Sequence, residues 1–404
     1  MTFKPKLLII ILTIGLIIVS PQLNVSSANG EISYSKMLKT FEDNNTDLRE
    51  IQLSLNDSLR SYQQSQKDVK DASSSWSNTV DMLNKLAIEI TNEMKFGTVM
   101  QRGVALAKAE VLYKQQQLTA EIQKSKLYIE LRNSYLNYWQ SRVKTDLLQN
   151  TASISEANYA KNELLYKQHK ISLQNLEKAK LNLVQDQNNL NNAKRKQEQS
   201  EQELATFIGT DFAKIYEINI WESEEKLEHN FVEPYIKRAL NNRLDIVSLQ
   251  DQMAINKLTI DTYDKYLNYD NLSENQQKSY DQLIKDNDRL AYQLQKKKIQ
   301  VEKEIRNAYL DLLYSNFKIQ TLINNRNDLN SDYLKQKEQF KQGKATENEV
   351  LKAQLNYNDA HITYLKAIYD YNTEVYKFNC VTNTGLTTNV AQTAQTSTSQ
   401  GRGR

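Results

Sequence analysis

The side chains that most often carry catalysis or bind metals are few and scattered in this chain. His169, His229 and His361 are far apart in sequence, and none has a second ligand at the spacing of a zinc motif such as H-E-x-x-H. The single cysteine, Cys380, can form neither an internal disulfide nor a structural zinc site, and we interpret it as a packing residue. No glycine-rich phosphate loop is present, and the abundant carboxylates form no distinct acid–base pair. The sequence therefore predicts a protein that is not an enzyme and uses no cofactor or metal.

The composition of the 404 residues favours long helices. After the N-terminal segment the only proline is Pro234, and no glycine lies between Gly103 and Gly209 or between Gly209 and Gly343. Strand-rich domains need frequent turns, and turns recruit glycine and proline. We expect an all-α fold with at most one short strand, at 216–220, where polar and apolar residues alternate.

Charge and aromatic content exclude some partners. The chain has 52 Lys and Arg against 49 Asp and Glu, a net charge of +3, and a low mean hydropathy of −0.68. Such a balance is typical of solvated helix faces and predicts neither nucleic-acid binding nor a strongly acidic partner. The 23 tyrosines stand mainly at helical spacing and are interpreted as groove fillers.

The N-terminus has the pattern of an export signal. Lys4 and Lys6 precede an apolar run at 7–19, and small residues follow up to Ala28, the predicted cleavage position. The alternative is an uncleaved anchor, but the run is shorter than the roughly 20 residues that a spanning helix needs. We expect an exported protein that works outside the cytoplasm.

One stretch occurs twice and organises the rest of the sequence. Segments 166–182 and 340–356 align without a gap and agree at seven of seventeen positions. In each, a helical pattern breaks at a turn, and a second helix begins after Ser172 or Thr346, whose hydroxyl can cap its N-terminus. The repeat predicts two related helical hairpins.

The helices that flank these turns carry heptad patterns. Apolar residues recur every seven positions within 104–165, and two interleaved series continue the pattern in 301–333, which predicts coiled-coil packing. The series consist of Ile122, Ile129, Leu136 and Val143 in the first half and Val301, Ile305, Ala308, Leu312, Ser315, Ile319, Leu322, Leu329 and Tyr333 in the second. The small members Ala308 and Ser315 would let neighbouring helices approach closely.

Helix breaks are predicted from turn-forming residues. Serines within 72–75, Gly97 and Gly103 indicate turns, and Gly209 suits a helix C-terminus. Pro234 starts a helix that should continue to about residue 260. The resulting divisions are a signal peptide at 1–28, a first helical repeat at 29–210, a linker at 211–232, a second helical repeat at 233–386 and a disordered polar tail at 387–404.

The second copy carries the more distinctive motif. Its residues are Phe340, Gly343, Thr346, Glu349, Val350, Leu351 and Ala353, and an Ala239-Leu240-x-x-Arg243-x-Asp245 segment opens the same half. This pattern resembles the TolC family of outer-membrane efflux and secretion ducts. The resemblance covers most of 33–385 and is strongest over 340–378.

The resemblance implies a homotrimeric tunnel. In that family each chain contributes long helices to an α-barrel and four strands to an outer-membrane β-barrel. The tip turns meet a periplasmic adaptor (membrane fusion) protein and an inner-membrane transporter. By resemblance, the partner-binding tip residues are Tyr166, His169, Ser172, Phe340, Gly343 and Thr346. Nucleic acid is not expected as a partner, and membrane association is expected to be indirect or through partners.

The sequence departs from the family in two places. Neither 71–103 nor 263–290, where the strands would be inserted, contains a pair of alternating segments of about 10 residues. We therefore expect an α-barrel without its membrane strands, as would suit a cell with no outer membrane. His169 stands where the family prefers glycine, and a left-handed conformation there is costly for histidine.

The family narrows its tunnel with carboxylates after the second turn. Glu349 matches one of these positions, Lys352 occupies the other, and Lys178 repeats the lysine in the first half. One interpretation is a tip constriction of mixed or positive charge. The other, which we favour, is ordinary surface lysines.

The expected function is that of a TolC-like component of an efflux or secretion system. It would form or line a passive, trimeric helical conduit in the cell envelope and dock an adaptor and pump through its hairpin tips. The alternative is an extracytoplasmic structural coiled-coil protein that bridges components and has no transport lumen.

Overall fold

The computed structural model of the chain describes residues 34–210 and 224–386. The export signal with its cleavage site at Ala28, the short strand expected at 216–220 and the polar tail at 387–404 lie outside these residues. Within the two described ranges the structure is helical, with connecting turns and no β-strand. The all-α prediction with two repeated hairpins is confirmed.

Nine α-helices make up the described part of the chain. They are α1 (Tyr34–Asn44), α2 (Thr46–Lys85), α3 (Asn92–Val99), α4 (Ala105–Lys167), α5 (Leu173–Ile208), α6 (Glu233–Asn242), α7 (Leu244–Tyr266), α8 (Glu274–Lys341) and α9 (Glu347–Asn383). A π-helical turn, Met100–Val104, joins α3 to α4, and a 3-10 turn, Tyr269–Asn271, precedes α8. With its 68 residues α8 is about 100 Å long.

The helices form one open layer. In the half that contains the hairpin tips, α4 packs on α5, α8 packs on α9, and α4 contacts α9, which gives the order α5, α4, α9, α8. In the opposite half α2 packs on α4, α4 on α7, and α7 on α8. Helix α8 is therefore an edge of the layer along its whole length, whereas the other edge is α5 near the tips and α2 in the opposite half.

The core lies in the middle of the layer, where the short helices α1 and α6 add their apolar faces. One buried cluster contains Phe41, Leu131 and Leu204, and another contains Tyr235 and Ile246. The heptad pattern predicted part of this core. The series members Val301, Ile305, Leu312 and Ile319 are buried, whereas Leu322 and Leu329, closer to the tip, are half-buried.

Three of the predicted breaks are wrong. Helix α2 continues through 72–75, where Ser73 and Ser74 donate their hydroxyls to carbonyls four residues earlier, at 2.8 and 3.2 Å. Gly97 lies within α3 and Gly103 within the π-helical turn. An isolated glycine or a back-bonded serine weakens a helix without ending it when neighbouring helices supply packing.

The regions 71–103 and 263–290 contain the ends of α2 and α7, the helix α3, the start of α8 and the turns between them. The ring centroids of Phe96 and Tyr263 are 4.8 Å apart, so the two connections meet. They lie at the end of the layer opposite the hairpin tips.

Candidate functional site: hairpin tips and layer edges

The first tip turn ends α4 with a Schellman motif. His169 has a left-handed φ of 56°. Its N–H donates to the carbonyl of Tyr166 at 2.8 Å, and the N–H of Lys170 donates to the carbonyl of Leu165 at 2.9 Å. These bonds satisfy carbonyls that the helix end would leave unpaired. Ser172 then caps α5, because its Oγ accepts the N–H three residues later at 3.3 Å.

The second tip turn has the same hydrogen bonds at equivalent positions. Gly343 has a φ of 70°, and its N–H donates to the carbonyl of Phe340 at 2.9 Å. The N–H of Lys344 donates to the carbonyl of Gln339 at 2.8 Å. The repeat seen in the sequence is thus a repeat of backbone geometry, with histidine in the place of glycine.

The caps of the departing helices differ. Glu349 accepts the N–H of Thr346 at 2.7 Å and its hydroxyl at 2.9 Å, while Thr346 Oγ1 accepts the N–H of Glu349 at 3.3 Å. This capping box lowers the pKa of Glu349, chiefly through the backbone hydrogen bond from Thr346. The first turn has Asn175 in the equivalent place. A constriction built from Glu349, Lys352 and Lys178 stays a prediction.

Both tips expose apolar side chains among polar neighbours. Tyr166 is 37% exposed and Phe340 is 47% exposed, and Leu164 and Leu173 are more than half exposed. The structure therefore places each group of three predicted tip residues on a solvent-facing turn. Their role in binding a partner is taken up below.

The two tips are not level, which the sequence did not predict. The rings of Tyr135 on α4 and Tyr369 on α9 stack at 6.0 Å, and Tyr369 donates its hydroxyl to the carbonyl of Arg132 at 2.6 Å. Tyr135 lies 32 residues before the end of α4, whereas Tyr369 lies 22 residues after the start of α9. Because the helices run side by side, the first tip extends about 15 Å further than the second.

The edge helix α8 carries an exposed apolar stripe that the sequence analysis missed. Residues 292, 299, 310 and 317 are separated by steps of 7, 11 and 7 residues, close to whole numbers of helical turns. The stripe consists of Tyr292, Ile299, Leu310, Leu313, Tyr314 and Phe317, each 46–71% exposed. It lies on the face of α8 away from the buried Val301, Ile305 and Leu312. The other edge exposes Leu53 on α2 and Leu181 on α5.

No family model and no curated protein sequence matches this chain. Solved structures do. CusC, which forms a transmembrane channel, is 12% identical, with coverage of 87% of this chain and 92% of that chain and a TM-score of 0.59. The MtrE outer-membrane channel of Neisseria gonorrhoeae is 12% identical, with coverage of 87% and 89% and a TM-score of 0.54. The CmeC outer-membrane channel of Campylobacter jejuni is 14% identical, with coverage of 71% and 68% and a TM-score of 0.50.

The chain has the TolC-like fold. At these identities the likeness concerns the fold, and it confirms at that level the resemblance stated from the motif around Phe340 and Gly343. The structural neighbours are channels rather than enzymes.

The segment Ala239-Leu240-x-x-Arg243-x-Asp245, which the sequence analysis singled out, contributes to a buried ion network. Arg243 interrupts the helix expected at 234–260, because its extended backbone (φ −64°, ψ 135°) separates α6 from α7. Its side chain is fully buried and makes a bidentate contact with Asp245, with Nε–Oδ1 at 3.0 Å and Nη2–Oδ2 at 2.9 Å. Nη1 lies 3.1 Å from Glu304 Oε2, and Lys297 Nζ lies 3.3 Å from Asp245 Oδ2.

Burial and pairing act in opposite directions on this network. Burial alone would lower the pKa of Arg243, but the hydrogen bond and charge of Asp245, together with the charge of Glu304, raise it. Burial alone would raise the pKa of Asp245, but Arg243 and Lys297 lower it. Both groups are therefore held in their charged forms.

The same arginine fixes the end of α9. Gly385 has a φ of 84°, and a Cβ there would lie 3.2 Å from Arg243 Nε. The N–H of Leu244 donates to the carbonyl of Thr384 at 3.1 Å. Arg243 thus joins the α6–α7 corner, α8 and the end of α9.

The described residues contain no group of three or more His, Cys, Asp or Glu arranged to hold a metal ion. His229 packs on Tyr235, and His361 lies between Tyr357 and Tyr364, far from the tip that carries His169. Across the described ranges, no helix combines the length and the apolarity needed to cross a bilayer.

Proposed function

We propose that this chain is one protomer of a trimeric helical conduit for efflux or secretion in the cell envelope. The observation that carries the proposal is the open layer with two different free edges. One edge is α8 with its exposed apolar stripe, and the other is α2 and α5 with exposed residues such as Leu53 and Leu181. Isolated exposed apolar residues are common on protein surfaces, but six along one face of a single helix indicate an interaction surface.

The two edges are suited to join neighbouring copies. A contact between α8 of one protomer and α2 and α5 of the next is heterologous, because it joins two different surfaces. Repeated contacts of this kind close into a ring when the rotation that relates neighbouring copies is a whole fraction of a full turn. Fully burying a Leu or Phe side chain contributes about 1.5–3 kcal/mol. Several stripe residues buried at each interface would offset the cost of association.

We infer the three-fold assembly and the central lumen from the similarity of this fold to that of channel proteins. Three four-helix layers would make a twelve-helix barrel. The chain itself would act passively, with energy supplied by an inner-membrane transporter and an adaptor docking at the tips. A coiled-coil bridging protein without a lumen is the alternative.

Light scattering of the purified chain tests the assembly. We expect the mass of a trimer in the absence of detergent. The double variant Leu310→Glu and Phe317→Glu places charges on the stripe and should give a monomer. The control Lys318→Glu changes charge at an exposed α8 position off the stripe and should keep the wild-type mass.

Electron microscopy of the same sample separates the two functional classes. A conduit should appear as a three-fold ring with a central channel. A wild-type monomer, or an assembly without a channel, would refute the conduit and favour the bridging protein. An unchanged mass for the double variant would show that the stripe is not the interface.

A further inference from the structure

The turns at the two ends of the layer differ modestly in net charge. The first tip, residues 161–180, has a net charge of +3, and the second tip, residues 335–354, has +2. At the opposite end, 81–96 carries −1 and 261–281 carries −3. Because the layer is about 100 Å long, these charges are separated by many Debye lengths. The tip end is therefore the end that an anionic surface would attract.

The first tip combines unpaired cations with apolar groups. Lys167 pairs with Glu163 at 3.3 Å, whereas four other exposed lysines have no carboxylate partner among the described residues. They are Lys161, Lys170, Lys178 and Lys180. Leu164 and Leu173, respectively 57% and 55% exposed, flank the turn, with Tyr166 beside them. Lysines around exposed Leu and Tyr are the composition of segments that lie in a membrane interface.

We propose that the first tip binds directly to the surface of a membrane rich in anionic lipid. The net charge of the first tip is complementary to such a surface, and its apolar side chains are exposed around the turn. A fluid headgroup layer can take up exposed apolar side chains without a preformed pocket, whereas a protein partner would need one. Every lysine near an anionic surface strengthens binding, and three tips linked in one assembly would bind far more tightly than a single tip.

The stagger of the hairpins gives each tip its own role. The first tip extends about 15 Å beyond the second, so it reaches a surface while the second tip stays above the headgroups. The adaptor of the proposed function would then dock on the second tip and on the flanks of both hairpins, rather than on the end of the first tip. The inference rests on the proposed function only for the three-fold multiplication of the contact.

Vesicle binding tests the inference on the full chain. Co-sedimentation is measured with vesicles of phosphatidylcholine alone and with 30% phosphatidylglycerol (about one lipid in three). We expect Gln in place of the four unpaired lysines to lower the partition coefficient on anionic vesicles about tenfold or more. Arg at the same four positions should restore binding. A control with Gln at four lysines of the opposite end should bind like the wild type; these are Lys85, Lys95, Lys265 and Lys278.

A fluorophore reports which tip enters the interface. In a Cys380→Ser background, a label at Leu173→Cys should be quenched by brominated lipid, and a label at Lys344→Cys should not. All variants carry the same N-terminal segment, so its own affinity for lipid cancels in the comparison.

Two results would overturn the inference. One is equal binding of the wild type and the first-tip Gln variant to anionic vesicles, including no binding by either; the tip would then be left to protein partners. The other is equal quenching at residues 173 and 344. Light scattering of each variant keeps this separate from the proposed function, since a trimer that ignores vesicles would contradict only the lipid contact.

Discussion

Replacing Arg243 by methionine would measure how far the buried ion network holds the α6–α7 corner to α8. Methionine keeps most of the buried volume and removes both the charge and the five donors. Asp245 and Glu304 would then lose their buried cation, although their side chains are 23% and 31% exposed and can be partly rehydrated. Breaking a buried pair costs about 3–5 kcal/mol. We expect the lower end, about 3 kcal/mol.

Urea unfolding followed by circular dichroism measures this loss. Arg306→Met is the matched control, because Arg306 also contacts two carboxylates, Glu302 and Glu233, but is 44% exposed. Surface ion pairs contribute about 0–1 kcal/mol, so the control should lose no more than that. Equal losses for Arg243→Met and Arg306→Met would show that burial does not strengthen the Arg243 network.

The pH dependence gives a second measurement on the same variant. The pKa of Asp245 is lowered in the folded protein, so its contribution is present above its unfolded value of about 3.9 and is lost as the pH falls through the folded value. The difference in unfolding free energy between wild type and Arg243→Met should therefore be constant near neutral pH and shrink below about pH 4. A difference that is the same at pH 7 and pH 3 would contradict the role of Asp245.

Three further predictions concern turns and the thiol. His169→Gly should stabilise the chain by about 1 kcal/mol, and Gly343→Ala should destabilise it by a similar amount. A Cβ at 343 would meet nothing within 4 Å, so only the left-handed φ affects stability there. Urea midpoints that do not move in opposite directions would contradict this. Gly209→Ala should cost more than Gly343→Ala in the same assay, because its Cβ would also lie 2.9 Å from the carbonyl oxygen of Asn44. Burial raises the pKa of the Cys380 thiol, so it should react with a disulfide reagent at pH 8 far more slowly in the folded chain than in urea; equal rates would show that the thiol is open to solvent.

Local signals predicted the units of this fold. The sequence predicted that Ser172 and Thr346 occupy equivalent positions in the two turns, and likewise His169 and Gly343. This was possible because capping and turn formation depend on a few neighbouring residues. Heptads predicted the burial of Ile305 and Ile319 for the same reason. The turn predicted at Gly97 was wrong, because a single glycine favours a turn in the sequence pattern even where packing against other helices keeps the segment helical.

The amino-acid pattern alone is enough to predict an all-α chain of two repeated hairpins, their two turns and the caps of the helices that leave them. Three features become visible only in the folded chain: which helices are edges, the burial of Arg243 between two carboxylates, and the roughly 15 Å (about ten residues) by which the first tip extends beyond the second. Those features depend on which elements lie side by side and at what register. Register between distant helices is set by the summed packing of residues such as Tyr135 and Tyr369, 234 positions apart in the chain, and no local pattern encodes that sum.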